Sequence, residues 1–237
     1  MIQLRQSKRR RAAKPLFHLG IEAFEPALGH EHPRTPLHEE RLDAVWALLL
    51  GSGARTLLDL GCGSGALLRR LVAEEQFTNF VGVDISAEAL LLAECHLELA
   101  SKAGDGRWSL EHGSFASAAE QWAGFDAAAM VETIEHVPPE QLSSVEHAVF
   151  AIMRPSLVVM TTPNREYNVL YGIGEGEFRH PDHQFEWGRS KFRAWVAGVG
   201  ERKGYAVAFQ GVGRADPLFG SPTQLGVFRR TPVSHLR

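Results

Sequence analysis

Hydrophobic and polar positions along this chain follow two periods in turn, one near 3.6 residues and one of short continuous apolar runs. From Leu37 to Leu50 the pattern LHEERLDAVWALLL puts Leu42, Val45, Trp46 and Leu49 on one side, which predicts an amphipathic helix ended by Gly51-Ser52-Gly53. Thr56–Leu60 is a short apolar run and predicts a strand that enters the turn Gly61-Cys62-Gly63-Ser64-Gly65. Ala66–Glu75 carries a helical apolar face, and Phe80–Val83 predicts a second strand ending at Asp84. Ser86 is placed to cap a helix running to about Ala100, with Glu88 adding negative charge to its first turn. Trp108–Glu111, Phe125–Met130 and Leu157–Met160 predict three more strands, and Pro138-Pro139 precede a helix from about Glu140 to Ile152. Ser190–Val199 then reads as a helix, and Tyr205–Phe209 and Gln224–Phe228 as the last two strands.

Strands that alternate with helices through five units predict a layered α/β fold around a mainly parallel sheet. The final two strands have no helix between them and predict an antiparallel, hairpin-like closure at one edge. Tyr171–Phe185 is rich in glycine and proline and has little periodicity, so a functional loop is expected inside an insertion at about 163–189. With 237 residues and 44% apolar content, residues 17–237 suit one domain with a continuous core. Charge is uneven. Arg5, Lys8, Arg9, Arg10, Arg11 and Lys14 make residues 1–16 a basic arm, expected to be flexible; the other 19 basic residues face 28 acidic ones, a net of −9. Such an arm suits nucleic acid and suits plain solvation equally. Two cysteines, no apolar stretch long enough for a membrane span and no secretory h-region point to a reducing, cytoplasmic setting.

The strongest chemical signal follows the first strand. Glycines at 61, 63 and 65 permit a tight turn and close approach of backbone to a ligand, and a dinucleotide enzyme uses similar spacing. Asp59, inside the strand, would repel a pyrophosphate, but it can orient the turn or hold an ammonium through water. Asp84 ends the next strand, 19 residues after Gly65, where a carboxylate can accept from both hydroxyls of a ribose. This pair resembles the pattern of S-adenosylmethionine methyltransferases. Ser114 and Phe115 follow the third strand and can flank an adenine; Phe115 suits the core as well.

A second constellation follows the fourth strand. In Glu132-Thr-Ile-Glu135-His136 a helical turn would point positions i, i+3 and i+4 one way. Two carboxylates that close repel each other unless a cation or a proton lies between them, and the imidazole offers a third ligand. Glu135 or His136 would serve equally as a helix cap or a partner of arginine. Strand ends at the carboxyl edge are where α/β folds put their chemistry. Further on, Phe178-Arg179-His180-Pro181-Asp182-His183-Gln184-Phe185-Glu186-Trp187 holds two histidines able to close on the first cluster.

Together with Thr162-Pro163-Asn164-Arg165-Glu166-Tyr167-Asn168 and the tail Gly211-Val-Gly…Pro222-Thr223-Gln224, these segments resemble the small-RNA 3′-terminal 2′-O-methyltransferase family. The likeness runs from about Pro36 to Arg230, in the family's own order. It implies a Rossmann-like S-adenosylmethionine-dependent fold, with a mostly parallel seven-stranded sheet and helices on both faces. It also implies a divalent cation, Mn²⁺ or Mg²⁺, held by two Glu and two His, which fall on Glu132, Glu135, His136 and His183 as the catalytic set. His180 is a near neighbour of that set. The implied reaction methylates the 2′-hydroxyl of an RNA 3′ end whose 2′- and 3′-hydroxyls are both free, with Asp59, Gly61, Gly63, Gly65, Asp84, Ser114 and Phe115 on the cofactor. Arg165, Arg179 and Arg189 are expected on phosphates, Tyr167 and Phe185 stacked on bases, and Asn164 and Asn168 on the terminal ribose or on turn backbone. Bacterial members work in RNA repair, which would bring a ligase and kinase partner, and carry a large N-terminal domain; eukaryotic members protect small silencing RNAs. The chain is thus expected to be an excised domain or a stand-alone member. Where the family mostly has Thr-Arg, it has Gly188-Arg189.

Three other functions compete: a small-molecule O-methyltransferase acting on a vicinal diol, a metal-dependent hydrolase, and an RNA-binding module. Retention of S-adenosylmethionine counts against the hydrolase, and a four-ligand site is more than binding alone requires.

Overall fold

The computed structural model describes residues 35–102, 105–117 and 120–232; the basic arm lies outside them. Helix α1 (Pro36–Ser52) starts at Thr35, whose hydroxyl accepts from the His38 N–H, with proline at the first helical position. It is followed by β1 (Thr56–Leu60), α2 (Ala66–Leu71), β2 (Asn79–Asp84), α3 (Ala87–Ala100) and β3 (Trp108–His112). The second half holds β4 (Ala127–Val131), α4 (Leu142–His147, widening into a π turn over Ala148–Met153), β5 (Leu157–Pro163), α5 (Arg189–Lys203), β6 (Tyr205–Val212) and β7 (Thr223–Arg230). Ser86 caps α3 by accepting from the Ala89 N–H.

The seven strands lie in the order β3-β2-β1-β4-β5-β7-β6, the first five mutually parallel and β7 antiparallel to both neighbours. The chain leaves β1 toward β2 and β3, then returns to lay β4 on the other side of β1, so the order reverses between β1 and β4. That switch point opens a crevice at the carboxyl ends of the two strands. Because the central strands are buried on both faces, they read as unbroken apolar runs rather than as alternating ones. Leu58, Met130, Val158 and Met160 face a core shared with α4 and α5, while Leu57, Ala129, Leu157 and Val159 face one shared with α1, α2 and α3.

The expected antiparallel closure at one edge forms: β6 and β7 pair antiparallel, with β7 between β5 and β6 and β6 outermost. Burial decides this: the first six residues of β7 are buried, whereas β6 is largely exposed along its middle. Phe228 anchors the inserted strand against Phe150 (ring centroids 4.7 Å apart) and Tyr205 (6.4 Å). The fifth strand also runs through Thr161, Thr162 and Pro163, three residues longer than expected, because β7 pairs with it that far. Phe228→Ala should cost about 3–5 kcal/mol of stability by urea unfolding, and a loss below about 1 kcal/mol would count against β7 as a core strand.

Candidate active site

The turn after β1 needs glycine. Gly61, Gly63 and Gly65 all have left-handed backbone (φ +79°, +52° and +77°). The N–H groups of Gly61 and Cys62 both donate to the Val83 carbonyl (2.7 and 3.1 Å), folding the turn onto the end of β2. Asp84 secures it: its Oδ2 accepts from the Gly63 N–H and its Oδ1 from the Ser86 N–H, each at 2.8 Å. A Cβ built on Gly63 would meet nothing within 4 Å, so this backbone faces open space that a ligand can enter. Asp59 lies beneath the turn at 2% exposure, and burial, then the neighbouring Asp84, push its carboxyl up to about 7. The Ser114 hydroxyl accepts from the Ala116 N–H, and Phe115 is buried in the α4–α5 core. Ile85, exposed immediately after Asp84, is an apolar surface that the sequence reading passed over.

At the end of β4 the chain breaks abruptly. Glu132 has left-handed backbone (φ +50°), which a non-glycine residue adopts only when its surroundings enforce it. Its N–H donates to the hydroxyl and the carbonyl of Thr161 (3.0 and 3.2 Å), and a single 3₁₀ turn, Ile134–His136, follows. The expected helical face from Glu132 through His136 therefore does not form; Glu132 stands outside the turn that carries Glu135 and His136. One ligand atom each from Glu135, His136 and His183 nevertheless lie within 4.8 Å of one another, joined across 47 residues of chain. Glu132 is beside this group, paired through Oε2 with Arg41 (3.1 Å). His180 sits close by, its ring 6.1 Å from His136 and 5.7 Å from His183.

The two acids each have one carboxylate oxygen secured and the other buried without a partner among the described residues. Glu135 is fully buried; its Oε2 accepts from the Thr162 hydroxyl (3.0 Å) and its Oε1 has no partner among the described residues. Glu132 repeats the pattern, with Oε1 buried and unpartnered. His183 Nδ1 lies 2.7 Å from Glu186 Oε1, and Glu186 also accepts from the Arg179 N–H and the Asn168 amide. These hydrogen bonds outweigh burial and hold Glu186 below the usual carboxylate range, which makes it an acceptor for a hydrogen on His183 Nδ1. Burial, then the charges of His183 and His180, hold His136 down at about 4, a neutral imidazole. Burial and Glu132 push Glu135 well up. Two carboxylate oxygens with no partner among the described residues, beside the imidazoles of His136 and His183, fit a divalent cation, which would offset the burial of Glu135.

In the insertion most of the polar residues named from the sequence turn inward, and Asn164 takes the expected turn-backbone role. Asn164, fully buried, donates to the carbonyls of Phe219 and Ser221. Asn168 accepts from Arg179, whose guanidinium also donates to the carbonyls of Pro222 and Asn164. Tyr167 is buried with its hydroxyl on the Arg214 carbonyl, and Phe185 is stacked on Trp187 (4.4 Å). Neither ring offers a face to a base, because packing already covers it. Arg189 pairs with Glu166, which also accepts from the Arg189 N–H and so supplies the α5 cap that Gly188 lacks. Arg165 is exposed. Sequence reasoning missed Arg41, Thr162 and Glu186. Only Glu186 carried a signal, a carboxylate three residues after a histidine.

A family profile described as "Methyltransferase domain" matches residues 57–156. The chain is similar to proteins named small RNA 2′-O-methyltransferase: 32% identical over 221 residues to that of Arabidopsis thaliana (85% of this chain, 23% of the relative) and 34% over 208 to that of Rattus norvegicus (83% and 52%). It spans about half or less of the length of these relatives. Among solved structures, the methyltransferase domain of a bacterial Hen1 protein, CtHen1-C, is 38% identical with a TM-score of 0.75, covering 83% of this chain and all of that domain. The fold is that of S-adenosylmethionine-dependent methyltransferases.

Because the Asp59 carboxyl is pushed from 3.8 to about 7, the folded state binds a proton that the unfolded chain has lost. Its contribution is complete below pH 4 and falls away as pH rises toward 7. In cofactor-free protein, the gain in Tm from Asp59→Asn over the unaltered chain should therefore grow from pH 5 to pH 8. A difference that stays constant or shrinks would refute the buried-acid assignment.

Proposed function

Because this chain belongs to the small RNA 2′-O-methyltransferase family, we propose that it transfers a methyl group from S-adenosylmethionine to the 2′-hydroxyl of the 3′-terminal ribonucleotide of RNA, with a divalent cation at Glu132, Glu135, His136 and His183. The carbon–sulfur bond of the sulfonium breaks, a carbon–oxygen bond forms, and the hydroxyl proton leaves to water. The observation that carries this reading is the contact between the two halves of the site. Gly61, in the glycine turn, packs so closely on Thr133, in the acidic turn, that a Cβ at 61 would overlap that side chain. Methyl donor and acceptor hydroxyl are thereby brought to neighbouring turns.

The roles of the chain's residues follow from their surroundings. The backbone of Gly63 receives the cofactor and the free lone pairs of Asp84 accept from its ribose; Ile85 gives the adenine an apolar surface. When bound, the cation lowers the pKa of a coordinated ribose hydroxyl, and Mn²⁺ suits the mixed imidazole and carboxylate set better than Mg²⁺. Glu186 fixes the tautomer and tilt of His183, and Thr162 fixes Glu135. For the RNA body, a groove of about 750 Å³ is lined by Arg165, Val169, Ile173, Leu218 and Phe219. Its apolar walls suit a base, while Arg165 is set against Glu175 and Glu177 in the same lining, so phosphate is met at Arg165 and not by the groove as a whole. Half-exposed Tyr171, with the Arg179 guanidinium 5.0 Å from its ring, replaces Tyr167 and Phe185 as the candidate stacking surface. If the acceptor is a damaged RNA end, the ligase and kinase of a repair system are the partners this reading calls for. Methylation of free catechol with no activity on RNA would favour the small-molecule alternative.

Two outcomes check the proposal. Glu135→Ala and His183→Ala should each abolish most methylation while cofactor affinity by calorimetry stays near that of the unaltered protein; parallel loss of cofactor binding would argue against a separate cation site. RNA with a 3′-deoxy or 3′-phosphate end should be methylated about 100-fold more slowly in single-turnover assays at saturating Mn²⁺, because the acceptor is held out of line. A 3′-deoxy rate within about threefold of normal would exclude a requirement for both hydroxyls.

A further inference from the structure

Glu132 poses a problem that the other ligand candidates do not. It stands outside the 3₁₀ turn, on left-handed backbone, and nothing in its own segment aims its carboxylate. What holds it comes from the far end of the chain. Arg41, on α1, places one guanidinium nitrogen 3.1 Å from Glu132 Oε2. The guanidinium is itself held, since Arg41 Nε donates to the hydroxyl of Thr223 (2.8 Å), a fully buried residue at the start of β7. Both partners are largely buried, with side chains 13% and 18% exposed, so the pair is not a loose surface ion pair.

We propose that Arg41 is a positioning residue for cation binding: by taking Oε2 of Glu132 it fixes the carboxylate plane and leaves the buried Oε1 for the ion. This rests on the cation reading above. It gives Glu132 the same arrangement as its neighbours, because Thr162 secures one oxygen of Glu135 and Glu186 one nitrogen of His183. Partners of this kind, one bond behind a ligand, typically change metal affinity 10- to 100-fold when removed.

The competing role is simple charge compensation, in which Arg41 neutralises Glu132 and does nothing for an ion. The two roles predict opposite signs. A cation beside the site repels a dication, so removing a mere compensator strengthens Mn²⁺ binding, whereas removing an orienting partner weakens it. The experiment is a Mn²⁺ titration followed by electron paramagnetic resonance of the free ion, without RNA, on the full chain. Arg41→Met should weaken binding about tenfold, and Arg41→Lys should recover part of the loss. Thr223→Val keeps the charge but frees the guanidinium, and should weaken Mn²⁺ in the same direction by less. In a Glu132→Gln background, Arg41→Met should no longer weaken binding. Affinity for S-adenosylmethionine and the unfolding midpoint report whether each variant is folded; should Arg41→Met not fold, the lysine and Thr223 variants carry the test. Mn²⁺ binding equal to or tighter than that of the unaltered chain in Arg41→Met, or in both other variants, overturns the proposal. No Mn²⁺ binding by the unaltered protein overturns the cation reading itself, and Arg41's role with it.

Discussion

Two carboxylates, buried Glu135 and partly buried Glu132, follow the carboxyl end of β4 three residues apart, and their mutual repulsion is the constraint the surrounding structure answers. In a low-dielectric interior two such charges cannot both persist without partners. Every neighbouring element supplies one. Helix α1 brings Arg41, β5 brings Thr161 to the Glu132 backbone and Thr162 to the Glu135 carboxylate, and the insertion brings His183 with Glu186 behind it. Even the inserted strand β7 takes part, since its first residue, Thr223, holds the arginine. Two carboxylate oxygens remain without partners among the described residues after all of this.

The insertion between β5 and α5 is stiffened by polar groups turned inward. Asn164, Asn168, Arg179 and Gln224 spend their hydrogen bonds on backbone carbonyls and on Glu186, and each is satisfied. A fully satisfied buried network specifies one arrangement more sharply than apolar packing does. The consequence for chemistry is indirect. Asn168 and the Arg179 backbone fix Glu186, and Glu186 in turn orients the His183 imidazole. This is why Asn164, Asn168 and Arg179 are engaged with the protein's own groups, while Arg165 and Tyr171 stand exposed on the same segment.

The two halves of the site are joined by the absence of a side chain. Gly61 needs its left-handed backbone to fold the turn onto β2, and it also needs to lack a Cβ so that Thr133 can pack on it. One residue thus sets the shape of the cofactor turn and its distance from the acidic turn. The switch point of the sheet makes this possible, because β1 and β4 are neighbours whose carboxyl ends open on the same side.

By itself the sequence determined the layered α/β class, most of the strands and helices, the glycine turn with Asp84 behind it, and the segments whose Glu135, His136 and His183 the fold brings together. These are local properties: periodicity, apolar runs and glycine spacing act over a few residues and survive without knowledge of the rest. Tertiary structure decided three things that local pattern cannot encode. It put β7 inside the sheet, because burial of Leu225, Val227 and Phe228 on both faces demanded neighbours on both sides. It turned Tyr167, Phe185, Asn164 and Asn168 inward, because a tyrosine or asparagine reads the same in sequence whether it meets a base or a carbonyl. And it set Arg41 against Glu132 across 91 residues of chain, since two opposite charges find each other through the fold that brings α1 over the sheet, not through any spacing between them.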